Sequence, residues 1–197
     1  MRHSPFALLV LGLISVGCTS TNKAATPDTT AQPSSASSPS SNPDQEFVTK
    51  AAQGNSAEVE LGKIVAAKSK NPSVKQFARM MVKDHTTALN ELQELAQTKN
   101  LNFNDDLPDA AKELQTKLSS ETGKQLDKDY MDSMVEDHQK DVQEFTDKSQ
   151  NAKDPDLKQW TGKTLPTLQK HLEKAQQIDA KLNKGKASGS SPSGDSQ

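Results

Sequence analysis

The sequence predicts an all-α protein whose folded part is an antiparallel four-helix bundle. Apolar residues recur at spacings of three and four throughout residues 44–184, which is the period of an amphipathic helix. No segment of this region has the alternating pattern or the β-branched richness of a strand. Short breaks separate the long helical patterns, and long amphipathic helices with short connections pack most simply as a bundle.

Five helical segments are predicted in chain order, four long and one short. Asn71-Pro72-Ser73 ends the first segment and begins the second, because a proline fits the first turn of a helix, where its missing N–H has no partner to lose. Asp154-Pro155-Asp156 repeats this arrangement before the last segment. Residues 102–108 are the one predicted true loop. The predicted segments are 44–69, 72–98, 108–119, 121–151 and 155–182.

An export signal precedes the single cysteine. A basic start is followed by an apolar run, Phe6 to Val16, that is too short to span a bilayer. Ile14-Ser15-Val16-Gly17-Cys18 resembles a bacterial lipobox, in which residues 1–17 are removed and the cysteine becomes the lipidated first residue. Ser15 departs from that pattern, so ordinary cleavage that leaves a free thiol is the alternative. We expect a lipid such as palmitate on Cys18 to hold the protein on the periplasmic side of the cell envelope, at the outer membrane.

Two segments are expected to be disordered. Residues 18–43 are rich in Ser, Thr, Pro and Ala, and residues 185–197 are rich in Gly, Ser and Pro, so neither can bury enough apolar surface to offset the entropy of ordering. The hydrophobic content of 31% and the mean hydropathy of -0.81 agree with a chain that is only partly folded. The first segment is predicted to be a tether and the second a tail, with the domain at 44–184 between them.

Charge and composition exclude some functions. The formal net charge of -2 excludes a nucleic-acid partner on electrostatic grounds, since such binding depends on clustered positive charge. No serine or cysteine nucleophile is paired with a base in the sequence, which argues against a hydrolase and leaves no clear basis for enzymatic activity. Nothing in the composition indicates a protein partner.

A short motif occurs twice and places a histidine inside the bundle each time. Met81-Val82-Lys83-Asp84-His85 is repeated 53 residues later as Met134-Val135-Glu136-Asp137-His138. At about 100° of turn per residue, each histidine lies at the centre of the apolar stripe of its helix. Both imidazoles are therefore predicted to face the core.

The other two long helices each present one comparable side chain. Glu58 lies on the apolar face of the first helix and His171 on that of the last, each near the midpoint of its helix. Midpoints of antiparallel helices lie at the same level, so Glu58, His85, His138 and His171 should converge in one layer. Three imidazoles and a carboxylate suit zinc, iron or manganese, and we predict one such ion at the bundle centre.

Neighbouring polar side chains are candidates to hold the ligand rings, because metal-bound imidazoles usually donate their other N–H to an acceptor. The candidates are Asp84, Asp137, Asp141 and Tyr130. A second interpretation stays open, in which the layer binds no ion and serves only to fix the packing register. The protein would then be a non-catalytic stress or interaction module of the envelope.

Several segments together resemble the bacterial exported family called domain of unknown function 4142. They are Glu58-Val59-Glu60-Leu61-Gly62-Lys63, Asn71-Pro72, the two Met-Val-x-Asp-His motifs, Asp154-Pro155-Asp156-Leu157-Lys158 and Lys163-Thr164-Leu165-Pro166-Thr167-Leu168. The resemblance implies a ferritin-like four-helix bundle in the periplasm or on the envelope and no established reaction. The Glu-x-x-His pairs of di-iron ferritins are absent, since Val82, Val135 and Leu168 precede the histidines by three residues. This argues against ferroxidase chemistry and against a two-metal site.

Overall fold

A computed structural model describes residues 42–187 of the chain, and all of their regular structure is helical. The all-α prediction is confirmed. The helices are α1 (Pro43–Lys68), α2 (Pro72–Thr98), α3 (Asp109–Ser120), α4 (Gly123–Asn151) and α5 (Pro155–Ala187). Helix α5 continues through residues 185–187, which the sequence assigned to the tail. The predicted export signal, Cys18 and nearly all of the tether lie outside the described residues.

Three of the helices begin with the same local arrangement. The side-chain oxygens of Asn42, Asn71 and Asp154 each accept a backbone N–H two residues later, at 3.1, 3.0 and 2.9 Å. In each case a proline follows the capping residue at once and occupies the first turn. The cap satisfies a backbone donor that the helix leaves free, and proline has no donor to satisfy. The sequence Asx-Pro therefore determines where α1, α2 and α5 begin.

The four long helices form two antiparallel hairpins that face each other. Helix α1 packs along α2, α4 packs along α5, and the hairpins meet through α1 against α4 and α2 against α5. Phe47 contacts Phe145 at one end of the α1 and α4 pair, whereas Glu58 meets His138 further along, so this pair is also antiparallel. The expected antiparallel four-helix bundle is the observed arrangement.

Helix α3 belongs to the connection that leads from the end of α2 to the start of α4, and it runs along the outside of the bundle. It lies on α1, where Lys68 donates to the carbonyl of Leu118 at 3.0 Å, and it also contacts α4. The link from α2 to α4 is thus one long crossover, the connectivity of ferritin-like bundles. None of the helices within residues 42–187 has an apolar stretch long enough to cross a bilayer.

The core consists of two apolar clusters separated along the bundle axis. We call one of them the lower cluster; its central residues are Phe77, Met81, Tyr130 and Met134. The other, called the upper cluster, is built around Phe47, Leu92, Phe145, Leu157 and Trp160. On every long helix the predicted ligand residue lies between the residues given to one cluster and those given to the other. The two clusters supply the apolar burial that drives folding, and they hold a polar layer between them.

Helices α1 and α2 approach closely at Gly62. A Cβ atom on this residue would lie 2.9 Å from Cγ2 of Val82 and 3.0 Å from the carbonyl oxygen of Ala78. Gly54 lies in the same helix, and a Cβ atom there would meet no atom within 4 Å. The absence of a side chain is therefore required for packing at Gly62 and not at Gly54.

Substitution of the two glycines should have opposite effects. Gly62→Ala is expected to destabilise the bundle by about 1–3 kcal/mol, because the new methyl group overlaps α2 and forces the helices apart. Gly54→Ala is the matched control and should stabilise it by about 0.5–1 kcal/mol, since alanine is the better helix former. Urea unfolding followed by circular dichroism measures both changes. A Gly62→Ala protein as stable as the wild type would contradict the close approach.

Candidate metal centre

The side chains of Glu58, His85, His138 and His171 meet in the middle of the bundle, as the positions of these residues in their helices predict. The ring centroids of the three histidines are 5.3–5.5 Å apart. All four residues are buried, with exposed fractions of 0–5%. Each long helix contributes one member, so the layer exists only when both hairpins are assembled.

Two of the rings use one nitrogen in a hydrogen bond and keep the other free of partners. Nδ1 of His138 lies 2.9 Å from the backbone oxygen of Met134, and Nε2 of His171 lies 3.1 Å from Oδ2 of Asp84. A carbonyl or carboxylate oxygen only accepts, so these nitrogens carry the protons. Nε2 of His138 and Nδ1 of His171 are then unprotonated, and neither has a hydrogen-bond partner among the described residues.

The third ring, that of His85, is held from α1. Its Nδ1 lies 2.7 Å from Oε2 of Glu58 and 2.9 Å from Oδ1 of Asn55. The amide of Asn55 is itself oriented, because its Nδ2 donates to the carbonyl of Ala51 at 2.7 Å. Nε2 of His85 has no hydrogen-bond partner among the described residues. All three rings therefore present one nitrogen that is buried and unpartnered.

This pattern fits a metal ion. One nitrogen of each ring lies within 4.8 Å of a nitrogen of the other two. In a tetrahedral zinc site with bonds of about 2.0 Å the ligand nitrogens lie about 3.3 Å apart, so each ring would close by less than about 1 Å. Metal-binding imidazoles characteristically donate their other N–H to a carbonyl or carboxylate, which is the arrangement at His138 and His171. Buried polar atoms without partners are rare and require an explanation, and an ion supplies one.

Glu58, the predicted fourth ligand, lies against the Nδ1 side of two of the rings. Its oxygens contact Nδ1 of His85 at 2.7 Å and Nδ1 of His138 at 3.3 Å, and not the unpartnered Nε2 atoms of those rings. The two nitrogens of an imidazole point in divergent directions, so a group against Nδ1 does not share an ion with Nε2. The structure places the carboxylate behind the rings, as the acceptor that orients His85.

The four other predicted site residues differ in whether they contact the imidazole rings. Asp84 contacts His171 on the facing helix, as expected of an acceptor for a ligand ring. Asp141 lies within 4.8 Å of Glu58 and His138, counted between one ligand atom of each. Asp137 and Tyr130 make no hydrogen bond to an imidazole within residues 42–187, and the ring of Tyr130 packs against Phe77 with centroids 6.2 Å apart.

Sequence reasoning missed Asn55. It lies one turn before Glu58 on the same face of α1, with Ala51 and Ala52 beside it. An amide in the middle of an otherwise apolar helix face is a signal of an inward hydrogen bond, because asparagine is a poor helix former and gains nothing there unless its side chain has a partner.

Burial sets the charges of the site. It lowers the pKa of both His85 and His138 to about 4, and it also lowers the pKa of His171, so the rings are neutral at pH 7. Burial raises the pKa of Glu58 to about 7 and that of Asp141 to about 8. Neutral imidazole is the form that binds a metal ion, so binding would require no proton release from these rings.

A small cavity adjoins the layer. Its volume is about 40 Å³, and its walls include His85, His171, Asn55 and Asp84, together with Thr164. A space of this size holds about three water molecules. The cavity therefore leaves room for a small ligand, such as water, beside His85 and His171.

The fold and the layer define a helical-bundle protein with a buried histidine-rich centre. Residues 29–178 match the family described as Domain of unknown function (DUF4142), and the chain belongs to this family. No match was found among curated proteins.

Two crystal structures have the same fold. One is a DUF305 protein of Streptomyces coelicolor, named as a candidate secreted protein, with a TM-score of 0.61 and 15% identity over 71% of this chain and 93% of that chain. The other is a DUF305 fragment from Deinococcus radiodurans, with a TM-score of 0.60 and 13% identity over 72% of this chain and 95% of that chain. At these identities the likeness concerns the fold alone.

Tyr130→Phe should stabilise the bundle. The hydroxyl is fully buried and has no hydrogen-bond partner among the described residues, so its removal abolishes a desolvation cost while the packing on Phe77 is kept. We expect the free energy of unfolding to rise by about 1 kcal/mol in urea titrations. A fall in stability would mean that the hydroxyl has a partner.

The stability of the metal-free protein should depend on pH through His138. The pKa of this ring is about 4 in the folded protein and about 6.5 in the unfolded chain, so the unfolded chain is protonated first and stability is lost as the pH falls from 6.5 to 4. His138→Asn keeps an N–H for the carbonyl of Met134 and cannot titrate. As the pH falls from 7 to 4, the wild type should lose up to about 3 kcal/mol of unfolding free energy through this ring, and His138→Asn should not. The difference in unfolding free energy between the two proteins should therefore shift by that amount in favour of the variant.

The measurement is urea unfolding in the presence of a chelator at several pH values. Tyr130→Phe is the control, since its curve should run parallel to that of the wild type over this range. Parallel curves for His138→Asn and the wild type would contradict the lowered pKa.

Proposed function

We propose that this protein is an exported envelope protein whose bundle binds one transition-metal ion through His85, His138 and His171. The observation that carries the proposal is the set of three buried ring nitrogens, on three different helices, that have no partner among residues 42–187. Glu58 and Asp84 would orient the rings, by contacts of 2.7 Å to His85 and 3.1 Å to His171.

The ligand set favours some ions over others. Imidazole nitrogens suit zinc and iron better than manganese, which prefers carboxylate and water oxygens. Zinc is the expected ion of highest affinity among the three, with iron second. One ion per chain is a poor store, so sensing of the metal or protection of the envelope under redox stress is the better proposed role. The cavity of about 40 Å³ beside His85 and His171 would let a small molecule reach the ion.

The proposed location rests on the sequence and on one relative. The signal-like residues 1–17 and the lipobox-like segment that ends at Cys18 support export and lipid attachment at the periplasmic face of the outer membrane. The Streptomyces coelicolor protein of the same fold is named as a candidate secreted protein, which agrees with export. Labelling with radioactive palmitate, lost in Cys18→Ala, tests the anchor.

Metal binding is tested with untagged protein that has been stripped by a chelator and dialysed against zinc. The wild type is expected to hold one zinc per chain by mass spectrometry of the metal, and His138→Ala is expected to lose it because a three-ligand site keeps only two ligands. Tyr130→Phe is the control, since this buried residue of the same helix makes no hydrogen bond to the layer.

Two results would contradict the proposal. One is a wild-type protein that retains no zinc, and the other is a His138→Ala protein that retains as much as the wild type. Circular dichroism of each variant confirms that the bundle is folded.

One observation favours the second candidate function, a non-catalytic interaction module with a purely structural layer. The oxygens of Glu58 contact Nδ1 of His85 at 2.7 Å and Nδ1 of His138 at 3.3 Å, so the carboxylate serves the rings as a packing partner would. This candidate predicts that histidine variants change the melting temperature without changing any bound ion. The zinc experiment therefore separates the two functions.

A further inference from the structure

A pair of acidic side chains lies behind the imidazole layer. One carboxylate oxygen of Glu58 on α1, one of Asp141 on α4 and one nitrogen of His138 all lie within 4.8 Å of one another. Asp141 follows His138 by one helical turn and faces α1. The pair therefore joins two helices on the side of His138 that faces Glu58.

One oxygen of this pair is buried and lacks a partner. Glu58 has an exposed fraction of 5%, and its Oε1 makes no hydrogen bond within residues 42–187. It lies 3.3 Å from Nδ1 of His138, but that N–H is directed at the carbonyl of Met134. The other oxygen, Oε2, is occupied by His85. Among the described residues Oε1 is thus unpartnered, on a side chain that lies beside Asp141.

The nearby lysines form their ion pairs with other acids. Lys50 forms an ion pair with Glu144, and Lys140 forms one with Glu136 at 2.7 Å. Within the described residues, no ion pair joins Asp141 to a lysine or an arginine. Glu58 is buried and Asp141 half-buried, and two carboxylates this close repel each other unless a proton or a cation lies between them.

The pair is reached from solvent. Glu58 and Asp141 line the cavity of about 40 Å³ next to the imidazole layer, and they also line a groove of about 410 Å³ between α1, α3 and α4. Asp137 lies on the wall of the same groove. A hydrated cation could enter by this groove and keep several of its water ligands.

We propose that a divalent cation with a preference for oxygen ligands, such as Mn²⁺, binds between Glu58 and Asp141 as a second ion. Carboxylates and water are the ligands that such cations prefer, whereas the imidazole layer suits zinc. His138 keeps its Nδ1–H on the carbonyl of Met134, so the protein ligands are the two carboxylates. This inference goes beyond the proposed function and does not require an ion in the imidazole layer.

The missing Glu-x-x-His pairs do not exclude this position. The sequence argued against two metals because no glutamate precedes a histidine by three residues on the same helix. Here the carboxylates come from α1 and α4, and they meet only because these helices are neighbours in the bundle. A motif within one helix is not needed for such a pair.

The test uses the untagged full chain, stripped by a chelator, loaded with one equivalent of zinc and titrated with Mn²⁺. Bound Mn²⁺ loses the six-line electron paramagnetic resonance signal of the free ion, so the loss of signal counts bound manganese. The zinc-loaded wild type should bind one Mn²⁺ per chain. Asp141→Asn should weaken this binding at least tenfold, since even the loss of a residue that only supports a ligand typically costs 10–100-fold.

Two further variants make the result specific. Asp137→Asn is the matched control on the same helix, because Asp137 lines the groove but is outside the group of Glu58, Asp141 and His138, and its Mn²⁺ affinity should stay within threefold of the wild type. His171→Ala should lose zinc and keep Mn²⁺, because His171 is outside the group formed by Glu58, Asp141 and His138. Asp141→Asn is almost isosteric, and a thermal melt shows that each variant is folded.

Three results would overturn the proposal. They are a wild type that binds no Mn²⁺, an Asp141→Asn protein that binds as tightly as the wild type, and an Asp137→Asn protein that is weakened as much as Asp141→Asn. Failure of the wild type to bind zinc, with Mn²⁺ binding that still depends on Asp141, would overturn only the proposed zinc function. Zinc binding without Mn²⁺ binding would overturn only the second ion.

Discussion

Burial of three imidazoles and a carboxylate at the centre of an apolar core is the constraint on which the rest of the structure depends. Taking such groups out of water is costly unless they are hydrogen-bonded. The bundle meets part of that cost by giving each ring one partner, namely Glu58 with Asn55 for His85, Met134 for His138, and Asp84 for His171. The remaining nitrogen of each ring has no partner among residues 42–187, and these unpartnered polar atoms distinguish the layer from ordinary core packing.

The layer also sets the register of the helices. Its members come from α1, α2, α4 and α5, so a shift of one helix along its neighbour would move a polar group into one of the apolar clusters. The close approach at Gly62 acts in the same direction, because it fixes α1 against α2 at a point just below the layer. The two apolar clusters supply the stability, and the layer specifies which of the possible alignments is adopted.

Glu58 links the two proposed ion positions. Its Oε2 contacts His85 in the imidazole layer, and one of its oxygens lies within 4.8 Å of an oxygen of Asp141. The two copies of the repeated motif show that the neighbouring helices decide what the aspartate of the motif contacts. Asp84 reaches His171 on the facing helix α5, whereas Asp137, its counterpart in the second copy, lines an open groove beside α3. The two copies have nearly the same sequence but different neighbours.

The sequence by itself determined the helical class, the helix starts and the convergence of four groups at one level. The signals were local, because periodicity places Glu58 and His171 on an apolar face and an Asx-Pro pair begins a helix wherever it occurs. Only the tertiary structure decided which nitrogen of each ring is unpartnered, that Glu58 lies against the Nδ1 atoms, that Asn55 joins the site, and which of the four predicted neighbours lie near the rings. These features depend on how side chains of helices that are distant in the chain are directed towards one another. The periodicity within one helical segment carries no information on those directions.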